Sequence, residues 1–237
     1  MYLDDLPDVA EARRVKALAR GHPIVEGGRA VAVAFTGSGD VAPESWIVRF
    51  EILRRQDPRR RLADAFAQTG AAAFWYFGGD PVARRAVAAL DFESAPRLGV
   101  FVRRVEPSNL RNGIDLRQAG DLDFDTRMLV TRHVAGFLHP RFAAAMRGDE
   151  RVGFAVLEEL TERWSEVSGF VYPSLRRRGY GARILAQAAD ATERTGRKVC
   201  AAVPVEDEPA RATLERAGFR LADYYFLATP PTRLPLV

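Results

Sequence analysis

Arg176-Arg177-Arg178-Gly179-Tyr180-Gly181 lies between an apolar run, Val167 to Tyr172 closed by Pro173, and a segment where Ile184, Leu185, Ala188, Ala189, Ala191 and Thr192 recur at helical spacing. The hexapeptide therefore converts a strand into a helix. The first backbone N–H groups of a helix have no internal partner, and the helix macrodipole adds partial positive charge there, so an anion is stabilised at that point. Gly179 and Gly181 let the chain turn tightly and approach a ligand oxygen where a Cβ would collide. The three arginines add neutralising charge. An ordinary strand-to-helix turn is the competing reading of the pattern taken alone.

Two further landmarks accompany the loop. Val171-Tyr172-Pro173 closes the strand before it, and a strand at Val199 to Val203 leads into Asp207-Glu208-Pro209-Ala210-Arg211-Ala212-Thr213-Leu214-Glu215-Arg216-Ala217-Gly218-Phe219. In this order the motifs resemble the GNAT acetyltransferase superfamily, with its Arg/Gln-x-x-Gly-x-Gly/Ala loop and a later helix that ends in Gly-Phe. The resemblance covers about Gly113 to Ala228. It implies transfer of an acyl group, usually acetyl, from acetyl-CoA or another acyl-CoA to an amine. It also implies that the diphosphate rests on Arg176, Arg177, Arg178, Gly179, Tyr180, Gly181 and Ala182, and that the pantetheine arm runs along the backbone near Phe170 and Val171. Asp207 stands where the family has an Asn, and Leu214 where it often has a thiolate-protonating tyrosine. Glu166 is the candidate general base, with Glu158, Glu159 and Glu162 as rivals. Tyr225 is the candidate acid, and Tyr172, Tyr180 and Tyr224 are alternatives.

The first half of the chain echoes the second. Asp80 to Phe92 lies over Asp207 to Phe219 without a gap, since 219 less 92 and 207 less 80 are both 127. Ala83, Val87 and Leu90 match Ala210, Leu214 and Ala217 in the same helical stripe, and each segment opens on an acidic residue with an early proline. A helix ending in Thr-Gly and a strand precede each segment, and a strand follows. These repeats predict an α/β (α+β) fold of two tandem GNAT-like units, each a mostly antiparallel mixed sheet flanked by helices. The expected units are 1–104 and 113–237, joined by a linker over 105–112. Chance similarity of two alanine- and arginine-rich helices is the alternative. The first unit reads Arg54-Arg55-Gln56-Asp57-Pro58 where its phosphate loop would stand, so it is not expected to bind CoA. An amphipathic helix is expected over Asp8 to Arg20. Rings of Phe74 to Phe77 are expected to pack in the core, with a pocket wall as the alternative.

Composition narrows the function. The 237 residues are 47% hydrophobic and 28% charged, with a formal net charge of +4, a globular balance without the basic stripe of a nucleic-acid binder. No apolar run is long enough to span a bilayer and the amino terminus carries no export signal, so the expectation is a cytoplasmic protein without a membrane partner. Cys200 is the only cysteine, and His22, His133 and His139 lack metal-site spacing, so no metal is expected. The expected partner is a small-molecule or protein amine, and a homodimer is compatible with the sequence. The leading function is an N-acyltransferase. The alternative is a non-catalytic acyl-CoA-binding or interaction module.

Overall fold

The computed structural model describes residues 18–26, 29–37, 45–53, 57–104, 110, 113–119 and 140–231. Its contacts divide the chain into two compact units, one running to Leu98 and resuming at Asp223, the other Gly99–Ala222. Two strands, β5 (Glu93–Arg103) and β11 (Phe219–Thr229), contribute residues to both units. The expected division at 105–112 therefore differs from the observed one, and most of that linker lies outside the described residues. The reason is strand pairing. Beyond Asp223, β11 is hydrogen-bonded to β4 of the first unit, whereas Arg103 at the end of β5 is anchored inside the second.

In the first unit, β1 (Leu18–Glu26), β2 (Arg29–Gly37) and β3 (Trp46–Ile52) form an antiparallel meander, and β3 continues through α1 (Pro58–Thr69) to β4 (Ala73–Phe77), which pairs with it in parallel. A parallel return needs a crossover, and α1 supplies it. After α2 (Pro81–Ala89) comes the first part of β5. Ile47, Leu62, Phe66, Phe74, Tyr76, Val87, Leu90 and Ala228 form one buried cluster, so Phe74 and Tyr76 are core rings as expected. The expected helix over 8–20 lies mainly outside the described residues, and its last three positions, Leu18 to Arg20, belong to strand β1 instead. Gly21 and Pro23 argue against a strand, but β1 is an edge strand, where proline is tolerated.

In the second unit the strand order is β10-β9-β8-β7-β6. β6 (Asp115–Gln118), β7 (Arg141–Arg147), β8 (Glu150–Glu159) and β9 (Trp164–Val171) pair antiparallel, and β9 returns through α3 (Tyr180–Glu193) to the parallel β10 (Lys198–Pro204). α4 (Glu208–Arg216) follows. Ile184, Leu185, Ala188 and Ala189 of α3 pack on Ala155, Val167, Val199 and Ala201 of the sheet. The fit is close at Gly153, where a Cβ would lie 2.0 Å from the Phe170 carbonyl oxygen. Both units are thus mostly antiparallel mixed sheets flanked by helices, as the sequence predicts.

Local geometry recurs between the halves. α2 and α4 both span nine residues, at 81–89 and 208–216, which is the offset of 127 found in the sequence. Asp80 accepts from Ala83 N as Asp207 accepts from Ala210 N. Past each helix a residue at that same offset turns left-handed, Asp91 at φ 53 and Gly218 at φ 89.

Candidate functional site

Tyr172 ends the strand and Pro173–Leu175 makes a single 3-10 turn. Arg177 then adopts φ 64 and Gly179 φ 79, so the chain reverses twice in left-handed dihedrals before α3 begins. Gly179 is the N-cap and has no side chain to cap with. The other three described α-helices are capped by carboxylates, since Asp57 accepts from Arg59 N, Asp80 from Val82 N and Ala83 N, and Asp207 from Ala210 N. At α3 the donors are left open. Among the described residues, no amide from Arg177 to Ala182 donates to a protein acceptor, whereas Arg176 N reaches Pro173 O at 3.4 Å and Arg183 N reaches Gly179 O at 3.4 Å. Arg177, Arg178 and Gly179 are exposed, whereas Tyr180 and Ala182 are buried residues of the first turn of α3.

The two loop glycines have different jobs. A Cβ on Gly179 would meet no atom within 4 Å, which leaves open room above the amides. A Cβ on Gly181 would stand 3.1 Å from Thr213 Cγ2, so that glycine allows α3 and α4 to approach. Gly181 thus has a packing role beside the ligand role expected of it.

Beside the loop, β9 and β10 part company. Their pairing covers only Trp164 to Glu166 against Lys198 to Cys200. From Ser168 to Val171, β9 is paired on its β8 side alone. Tyr172 N donates to Val152 O, so the adjacent Val171, opposite Gly153, turns its peptide groups away from β8. By the same alternation Gly169 presents both of its groups to the opening and Val167 its carbonyl, the Val167 amide closing the Cys200–Glu166 bridge. One of these groups is already used, because Arg176 Nε donates to the Val171 carbonyl at 3.2 Å. That contact ties the loop to the strand end. Phe170 points to the other face of the sheet, buried with Phe154 and Val156.

Glu166 is the last β9 residue paired with β10. Val167 packs with α3, and a Cβ on Gly169 would touch Leu185, so strand alternation puts Glu166 on the face away from α3. It lies directly opposite Glu158 on β8 and Cys200 on β10, and both glutamates are only 3% exposed. This juxtaposition was missed from sequence. A turn at Leu160 to Arg163 read as a hairpin would have revealed it, since it pairs 159 with 165 and 158 with 166. Glu159 faces the other way, into a surface cluster with Arg141 and Arg197. The hydrogen bond from Arg197, then the charge and hydrogen bond of Arg141, hold its carboxyl below the usual carboxylate value.

The remaining candidates take structural positions. Asp207 caps α4. Leu214 is 2% exposed and packs with Tyr180 and Ala217 in the α3-side core, so no hydroxyl stands where the family often has one. Tyr225 belongs to the first unit, with no exposure and its ring 4.8 Å from Trp75 and 5.3 Å from Phe77. Glu166 and the loop share one unit, and Tyr225 is not in it. Among the described residues, no group of three or more His, Cys, Asp or Glu could hold a metal ion, and no helix is long and apolar enough to cross a membrane. His133 and His139 lie outside the described residues.

Comparison with known proteins agrees with this geometry. The fold is similar to an acetyltransferase of the GNAT family from Colwellia psychrerythraea, with TM-score 0.70, 10% identity and 97% of each chain covered. It is similar to a GCN5-related N-acetyltransferase from Kribbella flavida, with TM-score 0.57, 16% identity and coverage of 94% of this chain and 95% of that one. A tandem GNAT protein from the clavulanic acid biosynthesis pathway aligns over 98% of this chain and 95% of its own, with TM-score 0.61 and 14% identity. No curated protein matches in sequence. Residues 115–219 match the Acetyltransferase (GNAT) family, a span that holds the open loop, the parted strands and α4.

Proposed function

We propose that the protein is an N-acyltransferase that moves an acyl group, acetyl in the simplest case, from CoA to a primary amine of a small molecule or protein. The observation that carries the reading is the row of unpaired amides at the entrance of α3, preceded by the exposed Arg176 to Gly179. A diphosphate satisfies such donors and balances the arginine charge. The peptide groups of Gly169 and Val171 offer an edge along which the amide-bearing pantetheine arm can lie, and the part of that edge nearest the loop is Val171. Arg176, held to the Val171 carbonyl through Nε, keeps its terminal nitrogens for phosphate.

In the reaction the amine nitrogen forms a bond to the thioester carbonyl carbon, the carbon–sulfur bond breaks, and the electron pair leaves with sulfur. Peptide N–H groups at the strand opening stabilise the developing oxyanion. Glu166, at the point where β10 departs, takes the amine proton directly or through a water. The leaving thiolate takes its proton from water, because Leu214 offers none and Tyr225 is sealed in the first unit. The first unit is read as a degenerate GNAT-like partner of the second. Asp57 and Pro58 close the entrance of α1, one by capping it with a carboxylate and the other by removing a donor, so no phosphate is expected there.

Leu214 and Asp207 favour a second reading, a module that binds acyl-CoA without turnover. Calorimetry with CoA, followed by acetyl-CoA and a panel of amines read as free thiol, separates the two. CoA binding with thiol release that falls in Glu166→Gln supports the enzyme. Binding without release supports the module, and no binding refutes both.

A further inference from the structure

Arg147 closes strand β7 and, with Glu150 opposite, frames the hairpin Arg147-Gly148-Asp149-Glu150. Its exposed guanidinium donates from Nη1 to Tyr180 Oη at 2.8 Å. Tyr180 is the first residue of α3, and its own amide is one of the open donors. Its ring is 5% exposed within the α3-side core, which makes the phenol oxygen a fixed anchor. A long arginine side chain ordinarily loses rotamer freedom on meeting a ligand, and an anchor reduces that loss. The anchor is a phenol hydroxyl, and among the described residues no carboxylate pairs with Arg147, although Glu150 is its cross-strand neighbour. The hairpin thus delivers an unneutralised and partly immobilised cation to the start of the helix whose amides await an anion. A second arginine supports it, with Arg117 Nη2 reaching the Gly148 carbonyl at 3.4 Å.

We propose that Arg147 is a donor-specificity residue, held by Tyr180 so that its charge favours an acyl donor carrying the phosphorylated nucleotide over one that ends at pantetheine. This rests on the acyl-CoA reading of the loop. A charge-assisted hydrogen bond to phosphate is among the stronger polar contacts, so losing it weakens binding by about tenfold or more. The full-length protein is titrated with CoA and, separately, with pantetheine, as wild type, Arg147→Met and Arg147→Lys. Arg147→Met is expected to bind CoA about tenfold more weakly while its affinity for pantetheine and its melting temperature stay at wild-type values, and Arg147→Lys to recover part of the CoA affinity. Equal CoA affinity in wild type and Arg147→Met overturns the inference and leaves the acyl-CoA reading standing. So does a loss that falls equally on CoA and pantetheine, which marks a purely structural residue. Failure of the wild type to bind CoA overturns both.

Discussion

Gly179→Ala, set against Gly196→Ala, tests whether the room at the α3 entrance belongs to a ligand. The two glycines bracket the same helix, with φ 79 at Gly179 and φ 83 at Gly196, and a Cβ at either position would meet no protein atom within 4 Å. An alanine forced into left-handed dihedrals costs about 1 to 2 kcal/mol, offset in part by about 0.4 to 1 kcal/mol from the lower entropy of the unfolded chain. Neither site adds a clash, so the two variants should lose similar stability, near 1 kcal/mol, or roughly 2 to 4 °C of melting temperature for a chain of this size. Ligand affinity should separate them. If a diphosphate sits on the amides of Gly179 and its neighbours, the new methyl group occupies its space, and CoA affinity should fall by about tenfold or more, equivalent to about 1.4 kcal/mol. Gly196→Ala, at the far end of the helix, should bind CoA within about twofold of wild type, well under that interval. Differential scanning fluorimetry gives the first comparison and calorimetry with CoA, well below the melting temperature, the second. Loss of CoA affinity to the same extent in both variants would rule out a ligand on the Gly179 amides. Gly181→Asp is the less informative choice, because its side chain would first strike Thr213 and disturb the helix pair.

Arg103 is 2% exposed, bonds Asp190 at 2.7 Å and Ala186 O at 3.4 Å, and lies over the Phe219 ring, so Arg103→Ala should cost about 3 to 5 kcal/mol by leaving a half-sheltered carboxylate without its cation; chemical denaturation measures it. Gly153→Ala would press a methyl group against the Phe170 carbonyl, a backbone atom that cannot rotate aside, and should lower the melting temperature more than any other glycine-to-alanine change in β8 or β9; a smaller shift than in Gly169→Ala would contradict the register. Glu159 has its pKa depressed by Arg197 and Arg141, so its stabilising contribution is present above the unfolded carboxylate pKa and is lost as pH falls through the lower folded value. The difference in stability between wild type and Glu159→Gln should therefore shrink below about pH 4.5 and be constant at neutral pH, as read by melts across an acid series.

Much of this architecture could be read from the chain because its signals are local. The capped helix at Asp207 and its counterpart at Asp80 are each specified within thirteen residues by a carboxylate, an early proline and one apolar stripe, and the structure reproduces both at the same offset. The arginine-glycine loop is also local, and so is its helical exit. What escaped the sequence depends on pairing over distance. β1 is held by β2 although Gly21 and Pro23 weaken its own preference for a strand, and the allotment of β5 and β11 follows from partners far away in the chain. The roles of the glycines divide in the same way. Gly179 turns left-handed and Gly181 does not, and only the position of Thr213 on another helix shows that Gly181 serves packing. The facing of Glu158 and Glu166 needs the register of a single hairpin, because a slip of one residue would carry Glu166 to the opposite face of the sheet. The proposed donor site is therefore specified by local chemistry, the arginine-glycine loop and the unpaired amides at the entrance of its helix. The amine side proposed for the reaction depends on register and on the face of the sheet that Glu158, Glu166 and Cys200 share, and for that reason the amine panel decides the acceptor.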